Sequence, residues 1–503
     1  MIDINKEMLS FIDQSPNAYY AVRNLGIMLE KAGYVRLFEG AEWKLSPGGK
    51  YYVTRDDSSI ISFRIPEMNI ADDNADEADG SFDRDYTGFM IMASHSDSPA
   101  FKIKPNAEIT VEKSYIKLNT EKYGGMIMST WLDRPLSIAG RIVVRTKSGV
   151  ETRLVNIERD LCVIPNLAIH MDRKINEGYA WNAQKDMLPL FAEYIDCDAK
   201  IEDDSENDLE DIDCKKLTAD NISGSENILM RIIAKEAGVD VDDILDTDLF
   251  LYNRNKGTLY GANNEFVGSG RLDDLQCAFA TMKGFIDSLG KSVKTDVKTD
   301  NTAIPEKNGD NKKISSIPVY CVFNNEEVGS STKQGAASSF LEDVLTRINH
   351  AFVKNEEEVC RIFTNSFMVS ADNAHALHPN HVDKSDPTNR PKLNGGIVIK
   401  YNANQKYTTD AVSSGLFRRI CEMACVPVQT YVNRSDIIGG STLGNIATTR
   451  VSMNAVDIGL PQLAMHSAYE TAGAYDTMYL VEASKKYYSS TIETVGDGRY
   501  SVE

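Results

Sequence analysis

Six short, unbroken apolar runs, spaced along the chain with helix-period segments between several of them, constrain this fold more than any other feature. They are GFMIMAS (88–94), PVYCVF (318–323), SFMVSA (366–371), GGIVIKY (395–401), VPVQTYV (426–432) and MNAVDIG (453–459). Runs of this length without polar alternation read as strands buried on both faces. Other segments carry the helical period: Val22, Leu25, Met28 and Leu29 ahead of Gly33, then Leu272 to Phe285, then Val412, Leu416, Phe417 and Ile420. The first forty residues therefore read as helical. The combination predicts an α/β layer structure around a parallel or mixed sheet.

From about 101 to 165 the pattern changes. Segments such as AEITVEK, SIAGRIVVRT and TRLVNIE are β-rich and lack helical periodicity. A discontinuous catalytic domain over 1–100 and 255–503 is expected, with an inserted β-rich domain over 101–254. The stretches 71–87, 201–214 and 291–314 are acidic or mixed in charge and poor in apolar residues, as solvated loops or insertions are. They lack the ordered ligand spacing of a calcium loop.

A chain of 503 residues has material for two or three domains. Its net charge of −20 supplies no cationic surface for nucleic acid or anionic lipid, so neither is an expected partner. Eight cysteines without a CxxC pair fit reduced thiols. Cys421 and Cys425, four apart, read as two buried small hydrophobes on one helix face. No membrane-length apolar run is present, and the opening MIDINKEMLSFIDQSP has no signal-peptide pattern. A cytoplasmic location is the expectation.

The chemistry is concentrated in polar clusters that follow strands: SHSD after 88–94, NNEE after 318–323 and ADNAH after 366–371. GRLDDL and AMHSAYE add two more. Ligand sites in open α/β sheets form beyond the carboxyl ends of the strands, so five clusters can meet in one crevice. Imidazole with carboxylates suits Zn²⁺, with Mn²⁺ or Co²⁺ as substitutes. A two-ion site needs a bridging carboxylate and about two further ligands per ion; His95, Asp273, Glu327, Asp372 and His466 supply that inventory. Glu326, beside Glu327, is then the group left to accept a proton. Each piece also has a plainer reading, and the Asp273–Asp274 pair fits an acidic first helical turn. The HExxH motif is absent, and His350 reads as structural.

The strings SHSDSP, WLDRPLSIAGR, IPNLAIHMDR, GSGRLDDLQ, NNEEVGSSTKQGA, SADNAHALHPN, GGIVIKYNANQKY, RSDIIGGSTLGNI and LPQLAMHSAYETAG, in this order, resemble the M18 aminopeptidases, of which aspartyl aminopeptidase is the best-known member. The resemblance implies a mixed-sheet di-zinc exopeptidase domain with an inserted dimerisation or lid domain, hydrolysing the N-terminal peptide bond of peptides. It implies two zinc ions per subunit, one held by His95 and Asp372, the other by Glu327 and His466, with Asp273 bridging. Glu326 would be the general base and Asp97 the support of His95. Substrate contacts would come from His375, Lys400 and, reaching a neighbouring subunit, His170, alongside Glu326 and Asp372. Dimers assembling into a homododecamer are also implied. Lys400 would either pair with an acidic substrate side chain or serve the backbone near the reacting carbonyl. Two competing readings are a di-metal amidohydrolase of acylated amino acids and a catalytically silent assembly protein of the same fold.

Overall fold

The computed structural model describes residues 2–67, 86–194, 227–289 and 316–503. The expected loops at 201–214 and 291–314, nearly all of 71–87, and Cys197 and Cys214 lie outside the described residues. The chain divides into two units. The first comprises Met1–Ser98, Lys256–Met465 and Glu470–Glu503, the second Pro99–Asn255 with His466–Tyr469.

In the first unit, helices α1 (Ile2–Asp13) and α2 (Ala18–Lys31) lead into a nine-stranded sheet. Asn17 caps α2 by accepting the Tyr20 N–H at 3.3 Å. Gly33, at φ +85°, ends it in the left-handed conformation that glycine adopts without a steric penalty. The helical expectation stops here, because residues beyond Gly33 turn extended. The strands in chain order are β1 (Val35–Leu37), β2 (Lys50–Arg55), β3 (Ser59–Arg64), β4 (Gly88–His95), β5 (Ser316–Phe323), β6 (Phe367–Ala371), β7 (Ile397–Tyr401), β8 (Val428–Val432) and β9 (Asn454–Gly459). Their order across the sheet is β1-β2-β3-β5-β4-β6-β9-β7-β8. All six apolar runs are thus strands.

The four central strands, β5, β4, β6 and β9, are mutually parallel. Their side chains are buried on both faces, which is why no alternation marks them in the sequence. The β2–β3 hairpin, with Asp56 and Asp57 at positive φ in its turn, extends the sheet beyond the expected strands. Helix α3 (Leu272–Asp287) follows, and its residues Leu272, Leu275, Phe279, Met282 and Phe285 are all buried. Helix α4 (Ala411–Met423) buries Leu416, Phe417 and Ile420 but leaves Val412 39% exposed near its first turn. Cys421 is buried, whereas Cys425 lies beyond the helix end at φ 56° and is exposed. The two thiols therefore do not share a buried face: the helix stops at Met423, before the second one. The fold is mixed α/β.

The second unit is a six-stranded antiparallel sheet, running Val150–Asn156, Leu136–Arg145, Ile244–Asn253, Ala100–Val111, Tyr115–Tyr123 and Leu190–Glu193 in spatial order. It has its own core, including Phe101, Leu118, Ile138, Ile142 and Leu251, with Leu229 and Ile233 contributed by the helix Ile228–Ala237.

Candidate metal centre

Parallel pairing brings the carboxyl ends of the central strands into line. His95, the last residue of β4, stands opposite Phe323, the last of β5, so the segments that follow begin side by side. Ser96 donates its N–H to Phe323 O at 2.8 Å and its hydroxyl to Ser58 O at 2.7 Å, which turns the chain at this edge. Asn325, at φ 61°, starts a tight turn across Glu326–Val328. Asp97 secures that turn: Oδ1 accepts the Glu326 N–H at 3.1 Å and Oδ2 the Glu327 N–H at 3.2 Å.

His95 is 1% exposed. Its Nδ1 lies 3.0 Å from Asp97 O and 3.5 Å from Asp97 Oδ1, so the nearer acceptor for this ring nitrogen is the main-chain carbonyl. The carboxylate, which also faces the ring, serves the Glu326–Glu327 turn as well. A proton on Nδ1 directs Nε2 to the other side, where Asp273 Oδ1 stands at 3.3 Å and Asp372 Oδ1 at 3.9 Å. Asp273 is held by its N–H to Glu470 Oε2 at 3.2 Å and by its carbonyl, which accepts from Ser98 Oγ at 2.7 Å. Asp273 and Asp274 open α3 but have non-helical backbone angles, and the peptide between them is cis. They are not an ordinary acidic first turn. Asp274, fully buried, accepts the His95 N–H at 3.1 Å.

Ligand atoms of His95, Asp273 and Glu327 lie within 4.8 Å of one another, and so do those of Asp273, Asp274 and Asp372. Asp273 is common to both groups.

Charge explains what such a cluster needs. Burial first, then repulsion from Asp372 and Asp273, holds Asp274 well above the usual carboxylate range. Burial and the Asp273 charge do the same to Glu327. Glu326 is pushed up to about 8 by burial and by Asp372, Asp97 and Asp273, with His95 opposing. Burial disfavours a charged His95, yet its hydrogen bonds to Asp273, Asp372 and Asp97 outweigh that and raise it well above 6.5. Each shift reports uncompensated negative charge in a poorly hydrated place. An imidazole nitrogen with clustered carboxylate oxygens is a donor set zinc accepts, so a divalent cation fits these residues.

Comparison with known proteins agrees. The family described as "Aminopeptidase I zinc metalloprotease (M18)" matches residues 11–488. The chain belongs to the M18 aminopeptidase family. It is a zinc metallo-aminopeptidase. Among similar proteins, the "Probable M18 family aminopeptidase 2" of Clostridium acetobutylicum is 42% identical over 490 residues, covering 97% of this chain and 99% of that protein. A "Probable aspartyl aminopeptidase" of Ricinus communis is 34% identical, with 97% and 95% covered. The solved mApe1 dodecamer of S. cerevisiae superposes with a TM-score of 0.74 at 25% identity, with 97% and 96% covered.

The remaining M18 motif residues fall in different surroundings. His375 is exposed on the short strand Ala374–His375, its ring 5.8 Å from Tyr431. Lys400, near the end of β7, is 3% exposed and donates to Asp372 O at 2.8 Å, with Asp372 Oδ2 at 3.4 Å. Burial opposes its charge, but the Asp372 carboxylate outweighs that and raises its pKa. His170 is an exposed residue of the β-rich unit. His466 belongs to the 466–469 segment of that same unit, at φ 66°, its carbonyl accepting the Ile127 N–H at 3.0 Å.

Three residues at this centre, Glu470, Asn373 and Tyr407, escape the sequence reading, and Asp274 was noted there without a role. Asp274 and Glu470 hold His95 and Asp273 through main-chain N–H groups. Asn373 and Tyr407 adjoin Asp372 and Lys400, the Tyr407 ring centroid 5.4 Å from Lys400 Nζ. Glu470 and Tyr407 sit inside the quoted strings LPQLAMHSAYETAG and GGIVIKYNANQKY, which was the available signal.

Proposed function

We propose that this protein is a di-zinc exopeptidase that removes N-terminal residues from peptides, with Asp273 as the bridging carboxylate. The observation that carries this reading is the sharing of Asp273 between two groups of ligand atoms, as a carboxylate between two closely spaced ions requires. The sequence match assigns His95 and Asp372 to one ion and Glu327 and His466 to the other; His95 Nε2 lies 3.9 Å from Asp372 Oδ1, and its ligand atoms also group with those of Glu327.

Zinc, when bound, supplies Lewis-acid polarisation of the scissile carbonyl and lowers the pKa of water. Glu326 is half-buried beside Glu327, a carboxylate suited to taking a proton from the attacking water and delivering it to the departing amine. Asp97 keeps Glu326 in place through its backbone N–H. Lys400 is engaged with Asp372 within the chain, which favours a role at the ligand and the reacting carbonyl over direct pairing with an acidic side chain. Preference for N-terminal Asp or Glu is proposed from the aspartyl aminopeptidase of Ricinus communis, with His375 and His170 as substrate contacts. Assembly through the β-rich unit into dimers and a homododecamer follows the yeast mApe1 dodecamer. Among the described residues no helix is long and apolar enough to cross a membrane. A cytoplasmic location is proposed on the six free cysteines among the described residues.

The test is Glu326→Gln in the zinc-loaded protein. It should lower kcat on aminoacyl substrates by roughly 10²–10⁴-fold while zinc content stays at the wild-type level. Unchanged kcat would remove Glu326 from the reaction. Faster hydrolysis of N-acetylated than of free-amine peptides would shift the assignment to an amidohydrolase.

A further inference from the structure

Behind Asp372 lies a second polar feature, built from uncharged side chains. Asn373 is 3% exposed, and Gln276, Cys277 and Gln462 are each at most 1% exposed. Asn373 Nδ2 donates to Gln276 Oε1 at 3.0 Å and to Gln462 Oε1 at 2.9 Å. Its Oδ1 accepts from the Cys277 thiol at 3.0 Å, a thiol that also meets the Asp274 carboxylate. Gln276 Nε2 continues to Thr477 Oγ1 at 3.0 Å. Both amide N–H groups and the carbonyl of Asn373 are thereby engaged.

Such a hub is demanding to build. A buried polar group left unmatched is destabilising, and apolar side chains of similar size would fill the same space without that exposure to error. What this network adds, although Gln462 Nε2 finds no partner among the described residues, is orientation. The elements joined here indicate what is oriented. Asp372 is tied to the sheet by its N–H to Ile458 O at 3.1 Å, and the next main-chain bond runs from Ala374 N to Leu460 O at 2.8 Å. Gly459 lets these strands approach, since a Cβ there would lie 2.0 Å from Asp372 O. The Asn373 hub instead ties this segment to α3, through Gln276 and Cys277, within one turn of Asp273.

We propose that Asn373 is a positioning residue that fixes the separation between the Asp372 and Asp273 carboxylates. The hub braces the two ligand-bearing segments from behind without adding charge to a centre already rich in it. This inference rests on the reading of Asp372 and Asp273 as metal ligands.

The experiment measures zinc affinity of the full chain by competition with a chromogenic chelator, with zinc per chain and the thermal midpoint of the metal-free protein recorded alongside. Asn373→Leu should weaken zinc binding about ten- to a hundred-fold, the scale of lost support behind a ligand. Cys277→Ala should weaken it less, and Cys277→Ser, which restores a donor to Asn373 Oδ1, should return it to the wild-type value. Asn5→Leu removes a buried amide bonded to Ala474 O; it should lower the thermal midpoint with zinc affinity unchanged. Wild-type zinc affinity in Asn373→Leu, with Asp372→Asn unable to hold zinc, overturns the positioning role alone. Wild-type affinity in Asp372→Asn overturns the ligand reading beneath it. If Asn373→Leu does not fold, equal affinities for Cys277→Ala, Cys277→Ser and wild type overturn the proposal.

Discussion

Asp248 in the β-rich unit and the carboxylates at the ends of β4, β5 and β6 solve the same problem in opposite ways. Burial raises the pKa of Asp248, but Lys102 Nζ at 2.8 Å and Arg141 Nε at 3.0 Å outweigh it, and the net shift is downward. At the metal centre burial is reinforced by other carboxylates, and Asp274 at the start of α3 with Glu326 and Glu327 after β5 all move upward. The difference teaches that a half-buried carboxylate supplied with cations by its own chain is a structural element. One surrounded by further carboxylates is made for a cation from outside.

The comparison breaks first at the metal. Asp273→Asn removes charge from both groups of ligand atoms, so zinc per chain should fall well below wild type by elemental analysis. The stabilisation by added zinc, about 4 kcal/mol for wild type at a thousandfold excess over Kd, should shrink in the variant's thermal unfolding. Full zinc retention would show that the cluster does not depend on its shared carboxylate.

Asp248→Asn sharpens the other side. Losing two hydrogen bonds to cations should destabilise the protein by about 1–3 kcal/mol at neutral pH in denaturant unfolding. Because the folded pKa of Asp248 lies below its ordinary value of 3.8, its contribution is complete above that value. It is lost as pH falls through the depressed folded pKa. The variant should therefore show a shallower loss of stability than wild type below about pH 4. An unchanged acid limb would mean that Lys102 and Arg141 do not act on Asp248 as described.

The smallest effect is expected where water screens both partners. Glu357 and Arg361 pair at 3.0 Å with side chains 74% and 67% exposed, and Glu357→Ala should change stability by at most about 0.5 kcal/mol. A larger change would mean that ion pairing alone, without burial, distinguishes the carboxylates compared above.

Much of the catalytic unit was legible before any coordinates. Strands buried on both faces must be apolar throughout, so β4 to β9 stood out, and the polar clusters behind them marked the crevice. His95, Asp273, Glu327, Asp372 and His466 were named from residue type and position; ligand atoms of the first four cluster, while His466 belongs to the other unit. The β2–β3 hairpin was not recognised, because its mixture of Tyr, Thr, Ser and Arg masks the strand pattern. Cys425 read as buried because a four-residue spacing was extended past the point where the helix ends. Asn373, Asp274 and Glu470 lay inside strings that were read, yet nothing local in those strings gave their roles. Their partners lie far along the chain: 97 residues separate Asn373 from Gln276, and 179 separate His95 from Asp274.

By itself, the sequence determined which segments are buried strands and which residue types can bind a divalent cation, since burial and ligand chemistry are properties of local composition. Tertiary structure alone decided that the Asp97 carbonyl lies nearer than its carboxylate to His95 Nδ1, that Asp273 and Asp372 both face His95 Nε2, and that Lys400 is occupied by Asp372. Those outcomes depend on distances of a few ångströms between segments brought together only by strand pairing, and no local pattern encodes them.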